Sequence, residues 1–351
     1  MAAASSSADG PVVPGVSESA GAERRIREMR PWLLLARLAL LVVLLAGLVV
    51  VFESLVPGAG KRLSAARPAW LAFAVGLEAL ALVSYVALFH AVFARSPHRL
   101  SLGRSAGIAL SELAGFVIAP GGVGGPALRL WMLRNGGMPW RAIGERSVAH
   151  GAVFNAPYVA AALVFGLGVA LHITPGHVPL VVALTPIALV CATLLAVIAL
   201  TSVSRARWLQ SPSSRWRKAL RAALEVVPDG FRQLPHFFRH PVGFAAALGY
   251  WAGDCAVLWA CFHAFGAVPS LSVLVLAYML GQLGNALPLP GGVGGVEPLM
   301  LGILVASGVG AALAAAAIIC YRAVSLGLQV GAGAVAVSLA SPGLPSPASR
   351  R

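Results

Sequence analysis

The chain has 351 residues, of which 58% are hydrophobic and only 11% are charged. A mean hydropathy of +0.84 predicts several apolar runs long enough to cross a bilayer, which excludes a soluble protein. The net charge of +14 would suit nucleic acid in a soluble chain, but here the Lys and Arg residues lie mostly in loops between apolar runs. That distribution is typical of the positive-inside rule, so membrane lipids are the predicted partner and nucleic acid is not.

Both ends of the chain are predicted to be disordered tails. Residues 1–31 are rich in small residues and then in charge, so they cannot build a core, and residues 341–351 are rich in Pro and Ser. The apolar run at 32–52 is too long for a signal peptide and is interpreted as a retained first span. A single transmembrane domain is therefore predicted over residues 32–340.

Eight apolar stretches follow one another inside this domain. Two of them, 105–134 and 271–306, are interrupted by Pro and Gly. A half-helix of about 15 residues reaches only about 22 Å, so each interrupted stretch is predicted to be a re-entrant hairpin. The other six are long enough to be full spans, at 32–52, 69–94, 147–172, 178–201, 242–265 and 309–338.

The two interruptions share a motif. Pro120–Pro126 reads P-G-G-V-G-G-P, and Asn285–Pro298 reads N-A-L-P-L-P-G-G-V-G-G-V-E-P. The common P-G-G-V-G-G core predicts an internal repeat, with halves 32–172 and 178–338 in opposite orientations. The fold class is therefore an all-α polytopic membrane protein of about six spans and two re-entrant hairpins arranged as an inverted repeat.

The basic residues set the predicted orientation. With both termini in the cytosol, most of the 26 Lys and Arg residues fall on the cytosolic side of the cytoplasmic membrane, against Lys61, Arg62 and Arg67 outside. The linker 202–241 is the most basic loop. It is interpreted as an interfacial amphipathic helix, with a solvated connector as the alternative.

The motif glycines are candidate lipid-binding residues. Without Cβ atoms they let the backbone turn sharply and let a headgroup approach closely. Pro126 and Pro298 are predicted to open the returning half-helices, whose unpaired N–H groups would suit a phosphate. The alternative is close helix packing through small residues. The candidate glycines are Gly121, Gly122, Gly124, Gly291, Gly292 and Gly294.

Two arginines and their neighbours complete the candidate site. An arginine inside a membrane is costly without a partner, so Arg129 and Arg322 are predicted to bind a lipid phosphate, with Tyr321 on the same group. For Arg322 the alternative is an ion pair with Glu297 or Asp254. Glu297 is favoured at a helix start by the dipole, so it either caps that helix or binds a cationic group or a proton.

Three further acids lie inside apolar stretches. Glu78 and Asp254 are predicted to face a cavity or a partner, as a coupling pair or a structural pair. Glu112 is expected to pair with Arg104 or Arg129. The histidines and the four cysteines show no metal-ligand or CxxC spacing. We therefore predict no metal, no cofactor and no catalytic group.

The second motif, L-P-L-P-G-G-V-G-G-V-E, followed by Tyr321 and Arg322, resembles the lysylphosphatidylglycerol synthase transmembrane-region family, the flippase-like module of multiple-peptide-resistance proteins. The resemblance extends over roughly residues 32–338. In the first half, Arg129 and the Glu145–Arg146 pair match, but Pro126 stands where the family's G-E-x-x-R pattern has its glutamate.

The resemblance implies movement of an anionic phospholipid or a polyprenyl-linked lipid across the cytoplasmic membrane. It does not imply lysyl transfer, since we expect the soluble transferase domain to be missing after the last span. An alternative is a membrane scaffold whose linker recruits a cytosolic transferase. An intramembrane lipid-modifying enzyme is the weakest hypothesis, because no nucleophile is visible.

Overall fold

The computed structural model describes residues 56–95, 99–204 and 241–340, with scattered positions between 39 and 54 and at Gly230 and Arg232. The regular elements within these residues are all helical, as predicted. The predicted tails, most of the first span and nearly all of the linker 202–241 lie outside them. The helices are α1 (Ala59–Leu63), α2 (Pro68–Phe93), α3 (Leu102–Ile118), α4 (Gly124–Asn135), α5 (Trp140–Ala170), α6 (Leu180–Ser204), α7 (Val242–Ala264), α8 (Leu271–Gly281), α9 (Val296–Ala306) and α10 (Ala311–Ala340).

Four helices in the described part are long and apolar enough to cross a membrane: α2, α5, α7 and α10. Their limits agree with the predicted spans except that α5 begins at Trp140, seven residues before the predicted start of its span at 147. Hydropathy marks where a bilayer could begin, whereas helix limits are set by backbone hydrogen bonding, which continues through charged residues. The chain is therefore a polytopic helical membrane protein, and the count of six spans stays a prediction.

Small residues let the long helices approach closely. In the packing of α2 against α7, a Cβ atom added at Gly253 would lie 3.1 Å from the Cβ atom of Ala81. Where α10 packs on α3, a Cβ atom at Gly333 would lie 2.6 Å from the carbonyl oxygen of Leu110. Contacts of this kind are how helices associate in lipid, where burial of apolar surface gives no driving force.

The two interrupted stretches form helical hairpins, α3–α4 and α8–α9. Each turns through a Pro-Gly-Gly 3₁₀ turn, at Pro120–Gly122 and at Pro290–Gly292. Its first glycine has a positive φ, 66° at Gly121 and 57° at Gly291, which a residue with a Cβ atom rarely adopts. Pro126 and Pro298 lie in the first turn of the returning helices, as predicted.

The hairpins meet at their tips. A Cβ atom at Gly121 would lie 3.6 Å from the Cα atom of Pro288, and one at Gly291 would lie 3.3 Å from the carbonyl oxygen of Val117. The limbs α8 and α9 have 11 residues each, so each is about 16 Å long, well short of a 30 Å hydrocarbon core. The contact brings both motifs together inside the molecule, while the opposite orientation of the halves stays a prediction.

Candidate functional site

A cavity of about 280 Å³ lies beside the contact between the hairpin tips. Both hairpins contribute to its wall, and so do the four long helices α2, α5, α7 and α10. Aromatic rings from α2, α5 and α7 form one part of the wall, and charged and amide side chains form another. The polar lining residues are Tyr85, Glu112, Arg129, His150, Tyr250, Asp254, Gln282, Asn285, Tyr321, Arg322, Ser325 and Gln329.

Arg322 forms a buried ion pair with Glu297. Its Nε atom lies 2.6 Å from Oε1 of Glu297, and Nη2 donates to the carbonyl oxygen of Gly291 in the hairpin turn. The other carboxylate oxygen of Glu297 accepts the backbone N–H of Gly294 at 2.6 Å. Glu297 therefore binds the backbone just before its own helix and neutralises Arg322, and this ion pair is the alternative that the sequence offered for Arg322. A lipid phosphate at this helix end would have to displace that carboxylate.

Arg129 forms the corresponding pair in the first hairpin. Its Nη1 atom lies 2.6 Å from Oε1 of Glu112, and both side chains are at least nine-tenths buried. The guanidinium carbon lies 5.7 Å from the centre of the Phe93 ring, close enough for a cation–π contact. Of the two arginines expected for Glu112, the structure selects Arg129 and not Arg104. Each hairpin thus takes part in one buried ion pair beside the cavity: the first holds both Glu112 and Arg129, and the second supplies Glu297 to Arg322 of α10.

Asp254 forms the centre of a third polar cluster. Its Oδ2 atom accepts the hydroxyl groups of Tyr278 at 2.5 Å and Tyr321 at 2.9 Å, and Oδ1 accepts that of Ser325 at 3.2 Å. Tyr321 was expected to bind the same group as Arg322, but its hydroxyl donates to Asp254. The same hydroxyl oxygen of Tyr321 accepts a hydrogen bond from the side-chain amide of Gln282 at 2.9 Å. The cluster connects α7, α8 and α10.

Glu78 joins this cluster from α2 and is fully buried. Its Oε1 atom lies 3.4 Å from the hydroxyl oxygen of Ser325 and 3.2 Å from the amide nitrogen of Gln329. Ser325 therefore lies between Glu78 and Asp254. The expectation that these acids face a cavity or a partner agrees with the geometry, because Asp254 lines the cavity and Glu78 lies behind Ser325 and Gln329.

Four cavity-lining residues carry a buried polar atom that has no hydrogen-bond partner among the described residues. These atoms are Oε2 of Glu112, Nε of Arg129, Nε2 of His150 and Oδ1 of Asn285. A buried polar group without a partner costs about 1–3 kcal/mol, so such groups are rare in a native core. Their concentration in one cavity indicates a place that takes a polar ligand.

The predicted glycines contribute unequally. Gly291 lines the cavity and binds Arg322 through its carbonyl oxygen, whereas the other five are not among the lining residues. A Cβ atom at Gly124 would lie 2.6 Å from the carbonyl oxygen of Gly115, so its small size is needed for packing of α3 on α4. The geometry thus gives Gly124 the packing role, and direct lipid contact by the glycines stays a prediction.

Sequence reasoning did not single out several cavity residues. His150 was considered only as a metal ligand, and Ser325 and Gln329 were not considered at all. The polar residues Tyr321, Arg322, Ser325 and Gln329 recur at helical spacing in an otherwise apolar span, a pattern that marks one wet face. Tyr85 and Tyr250 gave no comparable signal. Among the described residues, no group of three His, Cys, Asp or Glu side chains could hold a metal ion.

The fold and the cavity define a class, that of polytopic helical membrane proteins with a polar cavity between two broken helices. The comparison with family models then identifies the family. Residues 34–333 match the lysylphosphatidylglycerol synthase TM region, and the chain belongs to that family.

Curated relatives are similar over shorter segments. Two UPF0104 membrane proteins of Methanothermobacter thermautotrophicus (strain Delta H) match. One is 38% identical over 85 residues, which is 24% of this chain and 24% of the relative. The other is 32% identical over 105 residues, 30% of this chain and 31% of the relative. The chain thus aligns with only a quarter to a third of the length of these relatives.

Proposed function

We propose that this protein moves an anionic phospholipid or polyprenyl-linked lipid across the cytoplasmic membrane, with the headgroup passing through the cavity between the hairpins. The observation that carries the proposal is the set of four unpartnered polar atoms on the cavity wall. A headgroup phosphate would accept from Arg129, and hydroxyl or amine groups would serve Glu112, His150 and Asn285.

The two ion pairs suit a site that must both bind and release. While the cavity is empty, the free-energy cost of burying an arginine is lower when a carboxylate neutralises it than when it has no partner. An entering phosphate would exchange with Glu112 or Glu297 for the guanidinium, one anion replacing another. Because the displaced carboxyl group stays in the site, it must take up a proton or contact a cationic part of the headgroup for the net charge of the site to stay low.

An apolar groove beside the cavity offers a path for acyl chains. It has a volume of about 810 Å³ and is walled by small and aliphatic residues of α2, α3 and α10. Both spaces are lined by α10: Leu326 and Gln329 line the cavity, whereas Gly327 and Leu328, on another face of the helix, line the groove. A lipid could thus keep its tails in an apolar surrounding while its headgroup occupies the polar cavity.

The proposal includes the arrangement predicted from sequence: six spans, two re-entrant hairpins in opposite orientation, and both termini in the cytosol. The short limbs, the matching Pro-Gly-Gly turns and the contact between the tips support it. In such an arrangement rocking of one half against the other would open the cavity to each leaflet in turn.

Reconstitution into liposomes with a fluorescent anionic phospholipid tests the proposal. The wild type should expose inner-leaflet lipid to an external quencher faster than protein-free liposomes do. The double variant Glu112→Gln/Arg129→Gln keeps the site neutral and should lower the rate about tenfold, the effect of losing about 1.4 kcal/mol of headgroup binding. The exposed residues Lys61 and Arg62, both changed to Gln, are the control and should leave the rate unchanged.

Lipid movement equal to that of protein-free liposomes, or an unimpaired double variant, would contradict the proposal. A chain lacking residues 207–238 separates it from the scaffold hypothesis. A translocase retains lipid movement without this basic segment, whereas a scaffold loses its partner and shows no lipid movement with or without it.

A further inference from the structure

Glu78 and Asp254 form a carboxyl pair in the interior of the molecule. Glu78 is fully buried and Asp254 is 3% exposed. Both lie within reach of the Ser325 hydroxyl, at 3.4 Å and 3.2 Å, and they are near enough to hydrogen-bond to each other once one of them carries a proton. They come from α2 and α7, the two helices that pack most extensively.

Among the described residues, the surroundings of the pair supply no unpaired cation to balance two negative charges. The charged or titratable groups around it are Tyr250, Cys255 and Cys261 of α7, Tyr278 of α8, and Tyr321 and Arg322 of α10. Among these, only Arg322 is cationic, and its charge is matched by Glu297. Two ionised carboxylates side by side in such a place are strongly disfavoured, so one of them is expected to be neutral.

The hydrogen bonds indicate which of the two carboxyl groups is neutral. Asp254 accepts three hydroxyl groups, from Tyr278, Tyr321 and Ser325, and hydroxyl donors stabilise an ionised carboxylate. Oε2 of Glu78 receives no N–H or O–H group from the described residues. That oxygen is therefore the one on which a proton is accommodated, since a protonated oxygen acts as a donor to Asp254.

We infer that the Glu78–Asp254 pair is a proton-binding site that holds one proton on Glu78 at neutral pH. The proton exchanges with the cavity, because Asp254 and Ser325 line it. Coupling of this site to transport rests on the proposed function; the proton site itself does not. In a working translocase, entry of a headgroup beside Asp254 would change the affinity of the pair for its proton.

Infrared spectroscopy of the purified protein in nanodiscs tests the inference directly. At neutral pH the wild type should show the C=O band of a protonated carboxyl group, and this band should be lost in Glu78→Gln. The control Glu112→Gln/Arg129→Gln, which removes an ion-paired carboxylate together with its arginine, should keep the band. Because glutamine is neutral and nearly the same shape as protonated glutamate, Glu78→Gln should also melt within a few degrees of the wild type.

A wild type without the band, a band retained in Glu78→Gln, or a Glu78→Gln variant that fails to fold would each overturn the inference. The readout is independent of transport, so a protein that shows the band but moves no lipid refutes the proposed function alone. In liposomes that do move lipid, the wild-type rate should change between mildly acidic and mildly alkaline buffer, and that of Glu78→Gln should not.

Discussion

At the scale of single residues, the site consists of charged and polar side chains whose burial is unfavourable and which stabilise one another. Arg322 could be predicted to have a partner, because an unpaired arginine in an apolar span is unfavourable. The choice between Glu297 and Asp254 could not be predicted, since it depends on how α9 packs on α10. The contact between Glu78 and Asp254 could not be predicted either, because spacing along the chain does not show which faces of α2 and α7 are in contact.

The Arg322–Glu297 pair gives a stability prediction. Glu297→Ala leaves a buried guanidinium without its carboxylate, so the free energy of unfolding in detergent should fall by about 3–5 kcal/mol. Glu145→Ala removes the carboxylate of the Arg141–Glu145 pair, whose arginine is exposed and stays hydrated, and should cost about 1 kcal/mol or less. The double variant Glu297→Ala/Arg322→Met should recover most of the loss.

Denaturant titration followed by circular dichroism compares the three variants. If Glu297→Ala were no less stable than Glu145→Ala, the buried pair would contribute nothing to the fold, contrary to the geometry.

At the scale of elements, the Pro-Gly interruptions were the most informative part of the sequence. They predicted two broken helices with the returning limbs opened by Pro126 and Pro298, and the structure agrees. The longer interruption of the second hairpin, with an additional 3₁₀ turn at Gln282–Ala286, was not predicted. The only local turn signal there is the Gly284–Asn285 dipeptide. The turn is held by the hydrogen bond between Gln282 and Asn285 and by Tyr321.

Close packing inside the first hairpin gives a prediction at this scale. Gly124→Ala would place a methyl group 2.6 Å from the carbonyl oxygen of Gly115 and should destabilise the protein by about 1–3 kcal/mol. Gly76→Ala is the matched control. A Cβ atom there meets nothing within 4 Å, so the change should be neutral or stabilising by up to about 1 kcal/mol.

Thermal unfolding of the two alanine variants in detergent measures the difference. Equal melting temperatures would mean that α3 and α4 do not need the close approach that Gly124 allows.

At the scale of the whole molecule, membership of the family and the helical membrane fold could both be predicted from the sequence, because the second motif and the apolar runs are local features. The cavity could not be predicted in the same way. It is formed by two hairpins and four long helices whose sequences are far apart. The chemistry that matters, a set of polar atoms without partners, exists only after those segments have packed.

If a lipid headgroup occupies this cavity, photocrosslinking should capture it there. An anionic phospholipid with a photoreactive headgroup is reconstituted with the protein, illuminated, and located by peptide mass spectrometry. We predict adducts on cavity-lining residues such as Phe154 and Leu326, reduced by excess unlabelled lipid. Adducts confined to exposed apolar residues such as Leu80 and Val164, with the cavity unlabelled, would contradict the account.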